Sequence, residues 1–378
     1  MIKLGIIGIG NIGSVHAKTV YSGQIEGVTL GAVCDIDTTK KALFPDISFY
    51  TDYRQLLQTD IDAVIISVPH PLHAAIAMDA FSHNKHVLVE KPADITVSRA
   101  KAMNEAAGDR VFGIMFNQRT GNLFQKAREI VQGGLLGQLK RSDWIITNWY
   151  RTQAYYDSGD WRATWAGEGG GVLMNQAPHQ LDLWQWICGM PEAVYASCEA
   201  KYHDIQVEDA VRILARFPGG ATGSFTTSTG EFPGTNRLEI LGTLGKIVIE
   251  EGKLKWWRLQ EDERSFCQTC PENSGNIPFT YEEFDHIATR GHPLILQNFA
   301  DAIIKGTPLL APGKEGIHAL SIQNAAYLSS WTDSWIPIPF DEAEYDRQLA
   351  LRQTEAVKPA AGKTEGHTDY SHRWQINW

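Results

Sequence analysis

The chain has 378 residues, more than one ordinary hydrophobic core accommodates, so two domains are expected. With 43% hydrophobic and 21% charged residues it has a globular composition, and a formal net charge of −10 works against nucleic acid or an anionic membrane as partner. No apolar run reaches the roughly 18 residues of a membrane span, and the glycine-interrupted N-terminus carries no signal-peptide cleavage pattern, so cytoplasmic residence is expected.

From the N-terminus, KLGIIGI (3–9), VTLGAVC (28–34), AVIISV (63–68), HVLVE (86–90) and VFGIMF (111–116) are almost continuously apolar. Such runs suit strands of a parallel sheet covered on both faces. Between them NIGSVHAKTVYS, DYRQLLQ, PLHAAIAMDAFSHN and VSRAKAMNEAAG have helical patterning. The rhythm predicts a doubly wound α/β domain of the Rossmann type over 1–122.

The first strand runs into GIGNIG, with glycines at 8, 10 and 13, and a helix follows. In that context Gly8 permits the tight turn, Gly10 lets a pyrophosphate approach the backbone, and Gly13 lets helix and strand pack. The loop residues Asn11 and Ile12 open the helix, whose free N–H groups and positive dipole end suit phosphate. Asp35 lies 22 residues past Gly13, at the end of the second strand, where an acid can bond the adenosine ribose. Asp35 and Asp37 would repel a 2′-phosphate, no arginine is near, and Lys40 and Lys41 lie a helical turn or more away. NAD(H) is therefore expected rather than NADP(H).

HVLVE runs straight into Glu90-Lys91-Pro92, which aims Lys91 at the ligand crevice where parallel strands end. Asn117 and Arg119 close the next strand and are candidates to reach nicotinamide or substrate.

Past Asn122 the pattern changes. One helix (123–132) ends in Gly-Gly, and strand-like runs at 141–150, 209–217, 221–228, 236–242 and 245–250 are joined by short turns. An α+β domain with a largely antiparallel open sheet is expected over 123–345, then a C-terminal helix and tail over 346–378. Five cysteines are widely spaced, and the lone C-x-x-C of Cys267 and Cys270 has no second pair, so reduced thiols and no metal site are expected.

The stretch 148–165, NWYRTQAYYDSGDWRATW, is dense in aromatic and arginine side chains. It fits either a carbohydrate pocket, with Tyr150 among the sugar contacts, or aromatic core. In MNQAPHQLD (174–182), Asn175 and His179 are four apart and can share a helical face. Asn175 is either a helix cap, with Pro178 in the first turn, or a substrate contact. His179 is either a packing residue or a base favoured in its neutral form by the helix dipole. Asp182 either holds the other ring nitrogen or pairs elsewhere.

Taken in order, GIGNIGSVHA, EKP and GGGVLMNQAPHQLDLWQWICG resemble the glucose–fructose oxidoreductase / inositol dehydrogenase (Gfo/Idh/MocA) family. The resemblance covers residues 1 to about 345. It implies a cofactor crevice beside an open sheet that also joins subunits into homodimers or homotetramers. It assigns Lys91 to the nicotinamide ribose and the substrate hydroxyl, and makes His179 the acid–base. It places Glu90, Ser67, Pro69, His73 and the Trp161-Arg162 pair in the cofactor site, although His73 also fits a helix start. His16 stands in a family-like position suited to packing. Many relatives carry aspartate where this chain has Asn175, which cannot titrate but can hold a hydroxyl.

The function expected is an NAD-dependent oxidoreductase acting on a secondary hydroxyl or ketone of a sugar, sugar derivative or inositol. The alternatives are an NAD-dependent glycoside-cleaving or epimerising enzyme with an internal redox cycle, and a non-catalytic NAD-binding regulator. The partner is a small sugar or polyol, not nucleic acid or membrane.

Overall fold

The computed structural model describes residues 1–159 and 161–355. A helix occupies Glu342–Glu355, and the rest of the expected tail, 356–378, lies outside the described residues. Two compact units share the chain in an interleaved way. The first comprises Met1–Thr120, Gly167–Gly169 and Thr289–Leu320; the second comprises Gly121–Ala166, Gly170–Ala288 and the chain from Ser321 onward.

In the first unit, strands β1 (Ile2–Ile7), β2 (Val28–Cys34), β3 (Ser48–Tyr50), β4 (Ala63–Ile66), β5 (His86–Val89) and β6 (Phe112–Ile114) form one sheet. Their order is β3-β2-β1-β4-β5-β6, and every pairing is parallel. All four residues of β4 are buried, as its unbroken apolar sequence required. Strand β3 has no counterpart among the expected strands, because its three residues, Ser-Phe-Tyr, carry no apolar run. Helices α1 (Asn11–Tyr21), α2 (Tyr53–Leu57), α3 (His73–Ser82) and α4 (Val97–Ala107) connect the strands. Strand order reverses between β1 and β4, and such a switch point is where ligands bind beyond the strands' carboxyl ends.

The late segment completes this core. The Gly291–Lys305 helix buries Ile295, Leu296, Phe299 and Ala300 with Ile2, Leu4, Val20 and Val28.

The second unit opens with α5 (Asn122–Gln132) and β7 (Leu139–Ile146), followed by α6 (Gln153–Asp157), α7 (Val172–Asn175) and α8 (Pro178–Cys188). Strands β8 (Ala193–Glu199), β9 (Ala210–Arg216), β10 (Thr222–Ser228), β11 (Asn236–Gly242), β12 (Gly245–Glu250), β13 (Lys253–Leu259), β14 (Phe279–Asp285) and β15 (Ile336–Pro337) join β7 in a second sheet. Its order is β14-β13-β12-β11-β7-β10-β9-β8-β15. The β7–β10 pair is parallel and the others are antiparallel. Side chains alternate along β7: Ser142, Trp144 and Ile146 are buried while Ile145 is exposed, the period-two pattern of a sheet with one packed face. The strand expected over 141–150 ends at Ile146, where Thr147 turns to take a backbone bond from its own amide to Thr235.

Candidate active site

The glycine turn is built as its sequence implies. Gly8 has φ of +85°, and a Cβ there would lie 2.5 Å from the Ser67 carbonyl oxygen. At Gly13 a Cβ would meet the Gly8 carbonyl oxygen at 1.9 Å, so only glycine lets α1 lie this close to the turn. At Gly10 a Cβ would meet nothing within 4 Å, so the backbone borders open space there. Gly10 is also the N-cap of α1 and makes no side-chain cap bond. The first turn of α1 thus faces that space with a bare backbone, a cradle for pyrophosphate.

Asp35 is 9% exposed at the end of β2. Its Oδ2 accepts the Ile9 amide at 2.9 Å and its Oδ1 accepts the Asp37 amide at 2.9 Å, which ties the acid to the glycine turn. The sequence-based placing of Lys40 is corrected. Lys40 reaches back from a 3-10 turn capped by Asp37, and its Nζ stands 2.8 Å from Asp35 Oδ2. A tight turn brings residues five apart into contact where an extended loop would not.

Ser67 supports the same turn, with its Oγ donating to the Gly8 carbonyl oxygen at 2.7 Å. Pro69 follows as the cap of a 3-10 turn. His73 has no exposed surface, so it does not line a cofactor wall. Its ring nitrogens each lie 2.9 Å from a carbonyl oxygen, of Pro92 and of Val68, and the ring pins together the turns after β4 and β5. Burial pushes its basicity down.

Lys91 is partly exposed immediately beyond β5. Glu90 turns inward and is 7% exposed. Its Oε1 lies 2.7 Å from His16 Nε2, and its Oε2 accepts the Lys91 amide at 3.2 Å. Burial alone would raise this carboxyl, but the bond and charge of His16, with His292 and Lys91, outweigh it and hold it at about 2. Asn117 is half-buried, and its Oδ1 has no hydrogen-bond partner among the described residues. A buried acceptor without a donor suits an amide N–H of a bound group.

Arg119 requires correction as a substrate contact. It is fully buried, and its guanidinium bonds the Leu310 carbonyl oxygen at 3.0 Å and the Glu315 carboxylate. It fastens the Thr289–Leu320 segment to the rest of the first unit.

In the second unit, α7 begins straight after the glycines, its N-terminus held by Glu208. The Glu208 carboxylate accepts the Gly171 amide (2.9 Å), the Leu173 amide (2.9 Å) and the Tyr327 hydroxyl (2.7 Å). The helix then breaks and restarts as α8 at Pro178, whose N-cap Ala177 makes no side-chain bond. Asn175 is therefore not a cap. Its Nδ2 points to the Tyr155 hydroxyl at 3.4 Å, a contact shared with Gln176 Nε2 (3.2 Å) and Arg162 Nη1 (3.0 Å). The Arg162 guanidinium also lies 4.7 Å from the Tyr155 ring centre and 4.5 Å from that of Trp161. His179 is partly exposed in the first turn of α8, while Asp182 is buried and accepts from Gln185 at 3.0 Å. Tyr150 is 47% exposed, its ring 5.8 Å from that of Phe232.

Tyr155, Glu208 and His292 were missed from sequence. Tyr155 sits within the aromatic-rich stretch but no motif marks it, and nothing local links Glu208 to the glycines 37 residues earlier.

No group of three or more His, Cys, Asp or Glu side chains among the described residues could hold a metal. No helix among them is long and apolar enough to cross a membrane.

The parallel sheet with its glycine turn and terminal acid defines a dinucleotide-binding unit of the Rossmann type. Residues 2–112 match the family model described as an oxidoreductase family with an NAD-binding Rossmann fold, and residues 124–248 match the GFO/IDH/MocA C-terminal domain. The chain belongs to the Gfo/Idh/MocA oxidoreductase family. An uncharacterised oxidoreductase of Schizosaccharomyces pombe is 30% identical over a stretch spanning about half of each chain (47% of this one, 49% of the other). Levoglucosan dehydrogenase of Pseudarthrobacter phenanthrenivorans is 26% identical over 76% of this chain and 83% of its own. Among solved structures, the WlbA dehydrogenase of Chromobacterium violaceum in complex with NADH and UDP-GlcNAcA is 26% identical, covers 90% of this chain and 96% of its own, and superposes with a TM-score of 0.76.

Proposed function

We propose that this protein is an NAD(H)-dependent oxidoreductase acting on a secondary hydroxyl, or the matching ketone, of a sugar, sugar derivative or cyclitol. The observation that carries the reading is Lys91, which follows β5 at the carboxyl end of the parallel sheet, in the same unit as the open backbone at Gly10. Relatives named for sugar-like substrates support the substrate class.

Bound NAD⁺ would supply a hydride acceptor for the carbinol carbon. This chain must then bind the alcohol, take its hydroxyl proton and steady the developing alkoxide. The bare first turn of α1 and Asp35 hold the pyrophosphate and adenosine ribose, and the unpartnered Asn117 Oδ1 receives an amide N–H. Lys91 donates to the substrate oxygen. Within the second unit, His179, half-open on α8, is the candidate to accept a hydroxyl proton, and Asn175 with the Arg162–Tyr155 group offers donors to hydroxyls. The acid at 35 favours NAD over NADP, Lys40 partly offsetting its charge. The outer face of the nine-stranded sheet, with Ile145 and Leu214 exposed, joins copies of the chain; light scattering that finds a monomer would refute this part.

The test is NADH formation from NAD⁺ across a panel of inositols, aldoses, anhydrosugars and uronic acid derivatives, with Lys91→Ala alongside. Turnover of one class, reduced at least a hundredfold in Lys91→Ala, is expected. No net NADH from any of them, despite measured NADH binding, would sink the reading.

A further inference from the structure

Behind Lys91 the fold gathers charge from segments distant in sequence. His16 on α1 is fully buried, with Nε2 on Glu90 and an Nδ1 that has no partner among the described residues. The ring of His292, from the Gly291–Lys305 helix, is centred 5.6 Å from that of His16. His70 and His73 approach from the turn after β4 and the start of α3, near enough to feel both Glu90 and Lys91. Burial drives His70 down to about 3 and His292 to about 4, so these two rings are neutral at physiological pH, and it lowers His73 as well. Glu90, held at about 2, is ionised throughout. A buried carboxylate beside a buried imidazole with one bare nitrogen is a costly arrangement for packing alone.

We propose that Glu90, clamped by His16, is a positioning residue whose fixed negative charge stabilises the ammonium form of the Lys91 side chain. The carboxylate is turned inward, 7% exposed, with His16 on one oxygen. It accepts the Lys91 backbone amide, orienting the residue, and offsets the side-chain charge from the buried side. An ammonium, unlike a free amine, can donate to an alkoxide without first collecting a proton. The neutral imidazoles around it give the pair a low-dielectric setting, where one charge moves another's titration most.

This inference rests on the reading that Lys91 meets the substrate oxygen, yet its test needs no substrate. Lysines are labelled with ¹³C at Cε, and the Lys91 resonance is identified by its loss in Lys91→Arg. Its titration is then followed in the native protein, Glu90→Gln and Glu90→Asp. The Lys91 midpoint should fall by about one pH unit or more in Glu90→Gln, and Glu90→Asp, which keeps the charge, should restore most of it. Should Glu90→Gln fail to fold, the double variant Glu90→Gln/His16→Gln sets two amides against each other in place of the carboxylate–imidazole hydrogen bond and must show the same fall. A folded variant with an unmoved midpoint overturns the proposal. An unaffected NADH yield in Lys91→Ala would overturn the reading that Lys91 meets the substrate oxygen and leave the titration result standing.

Discussion

Asp35 and Arg119 show how differently two polar residues at strand ends are used. Asp35 spends its oxygens on the Ile9 and Asp37 amides and on Lys40, so it shapes the turn, and the proposed ribose contact adds to that role. Replacing it with serine removes a charge-assisted acceptor, each such bond being worth about 1.5–3 kcal/mol. NADH affinity measured by fluorescence should weaken by about tenfold to a hundredfold, and an unchanged Kd would remove Asp35 from the cofactor site. Arg119 should behave otherwise. With the guanidinium buried on Leu310 and the Glu315 carboxylate, Arg119→Ala strands an acid and a carbonyl, at a cost of about 3 kcal/mol. The expected signature is a large drop in Tm with KM changed little. A raised KM at native Tm would return Arg119 to the substrate site.

Among elements, the broken helix from Val172 to Cys188 matters most, because it carries both Asn175 and His179. Its first turn is too short to persist alone and is held by Glu208, whose carboxyl burial pushes up to about 7 against the opposing pull of Tyr327 and the Leu173 and Gly171 amides. The linkage has a definite sign. Between the ordinary value of 4.5 and about 7 the unfolded chain releases this proton while the folded chain keeps it, so stability falls as pH rises through that window. The loss is on the order of 3 kcal/mol. Denaturant titrations at pH 5 and pH 8 should show it, and Glu208→Gln should flatten it; a Glu208→Gln profile parallel to the native one would rule Glu208 out as its source. None of this was legible beforehand. Continuous apolar runs, period-3.6 patterning and the glycine spacing fix β1, α1, β4 and β5 from local sequence, and with them Gly8, Gly10, Gly13 and Lys91. Glu208, Tyr155 and His292 act through contacts across the chain, and the burial of Arg119 depends on a helix almost two hundred residues later. Local patterns do not encode such pairings.

For the whole molecule, the interleaving of the units is the dominant fact. Unit one lacks a wall until Ile295, Leu296, Phe299 and Ala300 arrive, side chains worth about 1.5–3 kcal/mol each when fully buried, less for alanine. A fragment of residues 1–120 should therefore show non-cooperative melting and bind the dye ANS, whereas the same fragment joined by a short linker to 289–320 should melt cooperatively. Cooperative melting of 1–120 alone would show the late segment to be dispensable. The same interleaving bears on how the protein is made. A ribosome adding about 5–20 residues per second needs roughly 10 to 40 s to travel from residue 120 to residue 320. Throughout that interval the nascent N-terminal sheet waits with one apolar flank uncovered while a second unit emerges behind it, a window in which chaperone occupancy, more than final stability, decides the yield.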